Sequence, residues 1–180
     1  MLLKPISSLK AGILTGSIKV NSVGSTIKKL SVYCSGKQFV QLCYAAPIAS
    51  IDQVFFALEQ TISAFDSGAN FSKKQELEFL IRLTGRKQIS RALDLTGLKK
   101  GMNTALLVIV ASNEKEIKKI FNEIKMQTGF KEKKIDFKKN EKELIKIHGI
   151  LQKEIDALKD LKNPVQELVL EKIALVALEN

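Results

Sequence analysis

Residues 76–101 read ELEFLIRLTGRKQISRALDLTGLKKG, and residues 103–111 follow as NTALLVIVA. Leu77, Leu80, Ile81 and Thr84 recur every three or four positions, the period of a helix with one buried stripe. Ser72 and Gln75 predict a capping box at its start. Gly85 supplies the left-handed residue that commonly follows a helix end. A second, short helix is expected directly after it, with Ile89, Ala92 and Leu93 inward and Gly97 as its stop. Asn103–Ala111 is apolar, rich in Val and Ile and of strand length, so a buried strand is expected there. Two helices thus run into a strand with no polar face.

The reading extends in both directions. Upstream, Thr15–Asn21, Leu30–Ser35 and Gln38–Ala45 are expected as strands, the last two joined as a hairpin through Ser35-Gly36-Lys37. Pro47 breaks that pattern. Ser50 and Gln53 then predict a capping box, and a helix follows with Val54, Leu58, Thr61, Ile62 and Phe65 inward and Gly68 as its end. Downstream, Ser112 opens a helix with Ile117, Ile120, Phe121 and Ile124 on one side and Gly129 as its stop. Lys131–Lys139 alternates Ile135 and Phe137 with charge, as an edge strand or a loop would, since Lys on an edge discourages pairing with other chains. Asn140 and Glu143 open another helix, Gln152–Asp160 a polar one, and Asn163-Pro164 a last helix reaching Leu178. Strands and helices are intermixed with no regular alternation and no repeat. That predicts an α+β fold: a single domain, residues 1–180, with a small, mainly antiparallel sheet covered by several helices.

Charge is the first functional signal. The 29 Lys+Arg against 19 Asp+Glu leave a net +10 in 180 residues, which suggests a polyanionic partner, nucleic acid foremost. A Lys-rich genome would give the same balance without one. The charge is segregated. Residues 1–50 hold six Lys and no acid, and residues 51–71 hold Asp52, Glu59 and Asp66 without a base. Residues 72–101 hold eight bases against three acids, residues 114–146 eleven Lys against seven acids, and residues 147–180 six acids against four Lys. Two cysteines and no obvious secretory segment fit a reducing compartment, and a cytoplasmic location is expected, with a nuclear one if the source is eukaryotic. No apolar run approaches the roughly 20 residues of a membrane-spanning helix.

Motifs for common enzyme chemistry are missing. His148 is the only histidine and reads as a surface or capping residue at a helix end. Cys34 and Cys43 would not oppose each other on the expected hairpin and read as buried free thiols. The sequence has no CxxC, no phosphate-binding GxxxxGK[ST], no GxGxxG and no GxSxG. No catalytic residue, metal site or cofactor is expected, and no small-molecule substrate. An unrelated small acyltransferase is the enzyme class left standing, and the missing His/Cys/Asp arrangement argues against it.

What remains is the junction Thr84-Gly85-Arg86-Lys87. If the second helix begins there, its first N–H groups lack intrahelical partners and form an anion site, with Arg86, Lys87 and Arg91 beside it and Gln88 able to reach a base or sugar edge. A solvated helix corner with a basic rim accounts for the same residues. Likewise the last helix carries Val165, Leu168, Val169, Ile173 and Val176 on one stripe and Leu170, Ala174, Ala177 and Leu178 on another. A helix apolar nearly all round is central in a core or shared with a partner. The helix with adjacent Phe55 and Phe56, which cannot face the same way, raises the same question.

Glu76, the apolar run Leu77–Leu83, Thr84-Gly85, Lys87-Gln88-Ile89, Ala92, Gly97-Leu98, Gly101 and the strand Leu106–Val110 resemble the most characteristic stretch of the PRPK-binding protein (TPRKB) family. Gly68, Asn70 and the C-terminal LEKIALVAL fit as well. The likeness covers residues 38–111 well, the last helix more loosely and residues 1–37 weakly. Arg86 departs from a usually small residue, and Lys87 stands where Arg is common. The resemblance implies a non-catalytic subunit of the KEOPS complex, which adds threonylcarbamoyl to the adenosine beside the anticodon of tRNA (t6A). Such a subunit binds the kinase-like ATPase subunit directly and the transferase and dimerising subunits through it. In archaeal members it also captures the single-stranded 3′ CCA end of tRNA. Gly85, Arg86, Lys87, Gln88, Ile89 and Arg91 are then the expected tRNA-binding residues, Ile89 being equally a core residue. Phe55, Leu170, Ile173, Ala174 and Ala177 are the expected partner-binding residues. A protein-interaction adaptor of the same complex without RNA binding is the alternative.

Overall fold

Gly101–Ala111 forms the long strand that the apolar run demanded, and the sheet is built around it. Residues 1–178 are described by the computed structural model, those of 176–178 by backbone alone. They fall into two compact units, each made of two stretches of chain: Met1–Ala45 with Gly97–Ile135, and Ala46–Thr96 with Asp136–Asn180.

The first unit holds the sheet. Its strands are β1 (Leu2–Ile6), β2 (Leu9–Val20), β3 (Phe39–Tyr44), β4 (Gly101–Ala111) and β5 (Lys131–Glu132). The order is β1-β2-β4-β3, every pairing antiparallel, and β5 also pairs with β2. β1 lies along residues 9–13 of β2 and β5 along Gly16 and Ser17, so both run along one edge of β2. Lys4, Pro5, Lys131 and Lys133 sit in or beside these outer segments, the residue types that blunt an edge. Two helices of this unit, α1 (Val23–Ser31) and α5 (Glu114–Thr128), supply Leu30 and Ile117, Ile120, Phe121 and Ile124 to a core completed by Ala105, Leu107, Ile109 and Ala111 of β4. The intervening Leu106, Val108 and Val110 are fully buried too, which is why β4 shows no alternation. The fold is therefore α+β with a small antiparallel sheet, as the sequence predicts.

The expected hairpin over residues 30–45 does not form. Residues 23–31 are helical: Ser22 caps the helix by accepting from Ser25 N–H at 3.3 Å, and Lys28 and Lys29 sit favourably in its last turn. Ser35 and Gln38 still exchange two backbone hydrogen bonds of 3.0 Å around Gly36, whose φ is +58°, but the ladder ends there. Phe39–Tyr44 pair instead with β4. The strand expected from Thr15 begins at Leu9, and β1 before it was not expected. Cys43 is fully buried, and burial pushes its thiol up to about 12, while Cys34 is half-buried. Lys131–Lys139 resolves into the two-residue β5, a loop and a 3-10 turn at Phe137–Asn140.

The second unit is helical: α2 (Ile51–Ser67), α3 (Gln75–Thr84), α4 (Ile89–Thr96), α6 (Glu141–His148), α7 (Gln152–Ala157) and α8 (Pro164–Leu178). The capping serine before α2 is present, since Ser50 Oγ accepts from Gln53 N–H at 3.1 Å, and Gly68 ends the helix at φ +75°. The capping box expected at Ser72 is not. Lys74 stands at the cap position of α3, and Ser72 Oγ accepts from Lys74 N–H at 3.2 Å. Ala49, Leu144, Ile150, Val165, Leu168 and Val169 form a buried cluster of this unit.

Candidate functional site

The α3–α4 corner is positioned by buried polar groups. Gln53 of α2 has no solvent exposure. Its Oε1 accepts from Ala49 N–H at 2.6 Å and its Nε2 donates to the Leu83 carbonyl at 2.8 Å, tying the start of α2 to the end of α3. Gly85 then takes φ +64°, and its N–H bonds back to Ile81. That left-handed turn is cheap only for glycine. Arg86 leaves the corner across the surface, where its Nη2 donates to the Ile147 carbonyl near the end of α6 at 2.8 Å.

Arg86, Lys87, Gln88 and Arg91 are exposed, Ile89 and Gly85 half-buried. The second helix starts at Ile89 rather than at Arg86-Lys87, so Arg86, Lys87 and Gln88 form a non-helical link that presents its side chains outward. The Gln88 carbonyl accepts from Ala92 N–H at 3.1 Å and so opens the helix. Ala92 is buried as expected, but Leu93 points outward with 41 % exposure, because Thr96 rather than Leu93 completes the inward face.

A second exposed group adjoins this corner and was passed over in the sequence. Phe71 lies in the loop before α3 and is 38 % exposed. The Arg82 guanidinium stands 4.8 Å from its ring centroid and the Lys87 ammonium 5.9 Å. Arg82 and Glu78 are nearly inaccessible and paired at 2.8 Å. Glu78 also accepts from the N–H groups of Phe71 and Ser72, at 2.9 and 2.8 Å, and Arg82 Nη2 donates to the Ala69 carbonyl at 3.1 Å. The legible signal was an aromatic set in the polar stretch Asn70-Phe71-Ser72-Lys73-Lys74.

His148 is not the surface residue the sequence suggests. It is 9 % exposed, and its Nε2 donates to the Pro47 carbonyl at 3.3 Å. Burial lowers its pKa from the ordinary 6.5, the Pro47 bond opposes that, and the charges of Arg86 and Lys172 add to the lowering.

The expected partner-binding residues divide. Phe55 and Ile173 are buried, at 5 % and 2 % exposure, and offer no surface. On α8 the stripe Val165, Leu168, Val169 and Ile173 faces inward, while Leu170 and Ala174 are half-buried and Leu175 is 49 % exposed. The Ala177 side chain lies outside the described residues.

The model of the family described as kinase binding protein CGI-121 matches residues 19–177, a span that includes the whole corner and leaves out β1 and most of β2. The chain belongs to the kinase binding protein CGI-121 family. Residues 76–111, read above as similar to the PRPK-binding proteins, fall inside the matched span of that family. In Pyrococcus abyssi (strain GE5 / Orsay), the KEOPS complex subunit Cgi121 is 33% identical to this chain over 85 residues. The match spans about half the length of each, 47% in both cases. Among the described residues of this CGI-121 family chain, no three or more His, Cys, Asp or Glu gather as a metal site would need. No helix among them is long and apolar enough to cross a membrane.

Proposed function

We propose that this chain is an accessory, non-catalytic subunit of a KEOPS-type complex. In this reading it docks on the kinase-like ATPase subunit and holds the 3′ CCA end of tRNA, in support of threonylcarbamoyladenosine formation. The family's kinase-binding description and the name of the archaeal relative support the first role. The observation that carries the second is the exposed link Arg86-Lys87-Gln88 with Arg91 one turn later, three cations and an amide on a fixed corner. Single-stranded ends are bound by cations that track phosphates and by groups that stack on or bond to base edges.

The test is a tRNA gel shift with the wild type, Lys87→Glu and Arg91→Glu. Each reversal is expected to weaken binding roughly tenfold, the scale of losing one charged hydrogen bond or phosphate contact. Trimming the CCA end from the tRNA is expected to do the same. Unchanged binding in all three comparisons removes this site and favours a protein adaptor without RNA binding. For the partner surface, Leu175→Glu is the informative change, because Leu175 is exposed on α8. Co-purification with the ATPase subunit is expected to fall while the melting temperature holds.

A further inference from the structure

We propose that Phe71 is the platform on which an unstacked base of the RNA end lies, with Lys87 placed to meet the adjoining phosphate. This rests on the tRNA-end reading above and names the group that would hold a base there. A phenyl ring 38 % exposed keeps part of its surface in water. Yet the loop that carries it is tied down from beneath by a buried ion pair. Glu78 receives both the Phe71 and Ser72 N–H groups, and Arg82 bonds the Ala69 carbonyl while standing against the ring. A buried pair has a large desolvation cost and is weak as a stabiliser. Here it fixes the position of a ring that remains in contact with water, which is the arrangement of a prepared surface rather than of a core residue.

The chemistry of the ring selects the ligand. Every base has a flat π face, and stacking on an aromatic side chain is tolerant of base identity. Arg82 is 4 % exposed and therefore approaches from the protein side. Lys87 belongs to the exposed corner, and its ammonium is 5.9 Å from the centroid, at the limit of a cation–π contact. Such a contact at a wet site is weaker than base stacking, so a base can displace it. The displaced ammonium stays within reach of the phosphate that follows. Phe71 and the Arg86–Arg91 corner thus form one surface with a flat apolar element beside a basic one, which suits a single-stranded nucleotide.

The experiment measures binding of CCA-ended tRNA, and of the same tRNA with its three terminal bases removed but the backbone kept. The proteins are the wild type, Phe71→Leu, Phe71→Ala and Phe71→Trp, each checked by thermal melting. Phe71→Leu keeps apolar cover over Arg82 and decides the matter if Phe71→Ala unfolds. The expected result is a loss of about tenfold for Phe71→Leu and near wild-type affinity for Phe71→Trp. The abasic tRNA should bind the wild type as weakly as intact tRNA binds Phe71→Leu, with no further loss when both changes are combined. Additive losses, or a Phe71→Leu protein that binds intact tRNA like the wild type, overturn the platform while leaving the tRNA reading in place. A wild type that ignores the CCA end overturns both. Loss of ATPase-subunit binding in Phe71→Leu with tRNA affinity intact assigns the ring to a protein contact and overturns the proposal.

Discussion

His148 closes α6 with its ring buried and its Nε2 spent on the Pro47 carbonyl, so its charge state is coupled to folding. Burial, with Arg86 and Lys172 nearby, holds the folded pKa below the ordinary 6.5. The unfolded chain then binds the proton more readily, and stability rises with pH across the interval between the two values. The contribution is fully present above about pH 6.5 and is lost as pH falls through the folded value. Glu114 and Glu154, whose pKa values are lowered from 4.5 by bonds to Lys10 and to Leu151 N–H respectively, act only below that range. The urea midpoint is therefore expected to be level with respect to His148 above about pH 6.5 and to decline as pH falls below it. His148→Gln, which can keep the donor to Pro47, should flatten that decline. An equal decline in the variant would show that another group is responsible. A lone histidine before glycine gives no sign of this in the sequence, because its partner is a carbonyl about a hundred residues away. Phe71 differs: an aromatic in a polar stretch is legible, and its partners Glu78, Arg82 and Lys87 follow within sixteen residues, but only the folded loop sets them against its ring and backbone.

At the scale of elements, β5 is only two residues long, and what holds it is a missing side chain. Gly16 of β2 pairs with Glu132, and a Cβ there would run into the Lys131 carbonyl and come within 2.6 Å of the Phe130 ring. Phe130 is fully buried against Phe121, with ring centroids 6.4 Å apart in an edge-to-face arrangement. Neither backbone nor packed ring can yield cheaply. Gly16→Ala is expected to cost about 2 kcal/mol, the scale of overpacking a filled site. It should show as a lower melting temperature with faster amide exchange at Lys131–Lys133. Gly24→Ala, where nothing lies within reach, is the control and should be neutral or slightly stabilising. The helices that were legible carry their signals locally: the Ser50 cap, Gly68, Gly85, Gly129, and Pro164 at the start of α8. The elements that were misread are those fixed from outside. Val23–Ser31 contains Val, Thr and Ile and one Gly, a strand-like composition, and becomes helix because Leu30 has α5 and the sheet to pack on. β1 contains Lys4 and Pro5, which argue against a strand unless it is an edge, as it is.

Over the whole molecule the net +10 is not shared. The stretches Met1–Ala45 and Gly97–Ile135 hold 15 lysines against 4 acids, and the rest of the chain 14 Lys and Arg against 15 acids. The corner at Arg86–Arg91 is thus a small cationic feature within a nearly neutral unit, whereas the sheet-bearing unit carries the bulk charge. Of the bases in residues 72–101, Lys99 and Lys100 belong to the sheet-bearing unit and Arg82 is buried against Glu78, which leaves Lys73, Lys74, Arg86, Lys87 and Arg91 exposed on the helical one. The two sources of charge predict two salt dependences. Neutralising a phosphate releases counterions, so log affinity falls with log salt by about 0.7 per contact on a single strand and about 0.9 on a duplex. A short CCA-ended oligoribonucleotide meeting Arg86, Lys87 and Arg91 should show a slope of roughly −2. If the lysines of the first unit also meet RNA, whole tRNA should show a steeper slope, on the order of −5. Lys115, Lys118 and Lys119 are exposed on α5. Changing all three to Gln should reduce the tRNA slope by about 2 and leave that of the oligonucleotide unchanged. Lys87→Gln should reduce both by about 1. Equal slopes for oligonucleotide and tRNA in the wild type would mean that the lysines of the first unit serve solubility and that RNA meets this chain at the corner alone.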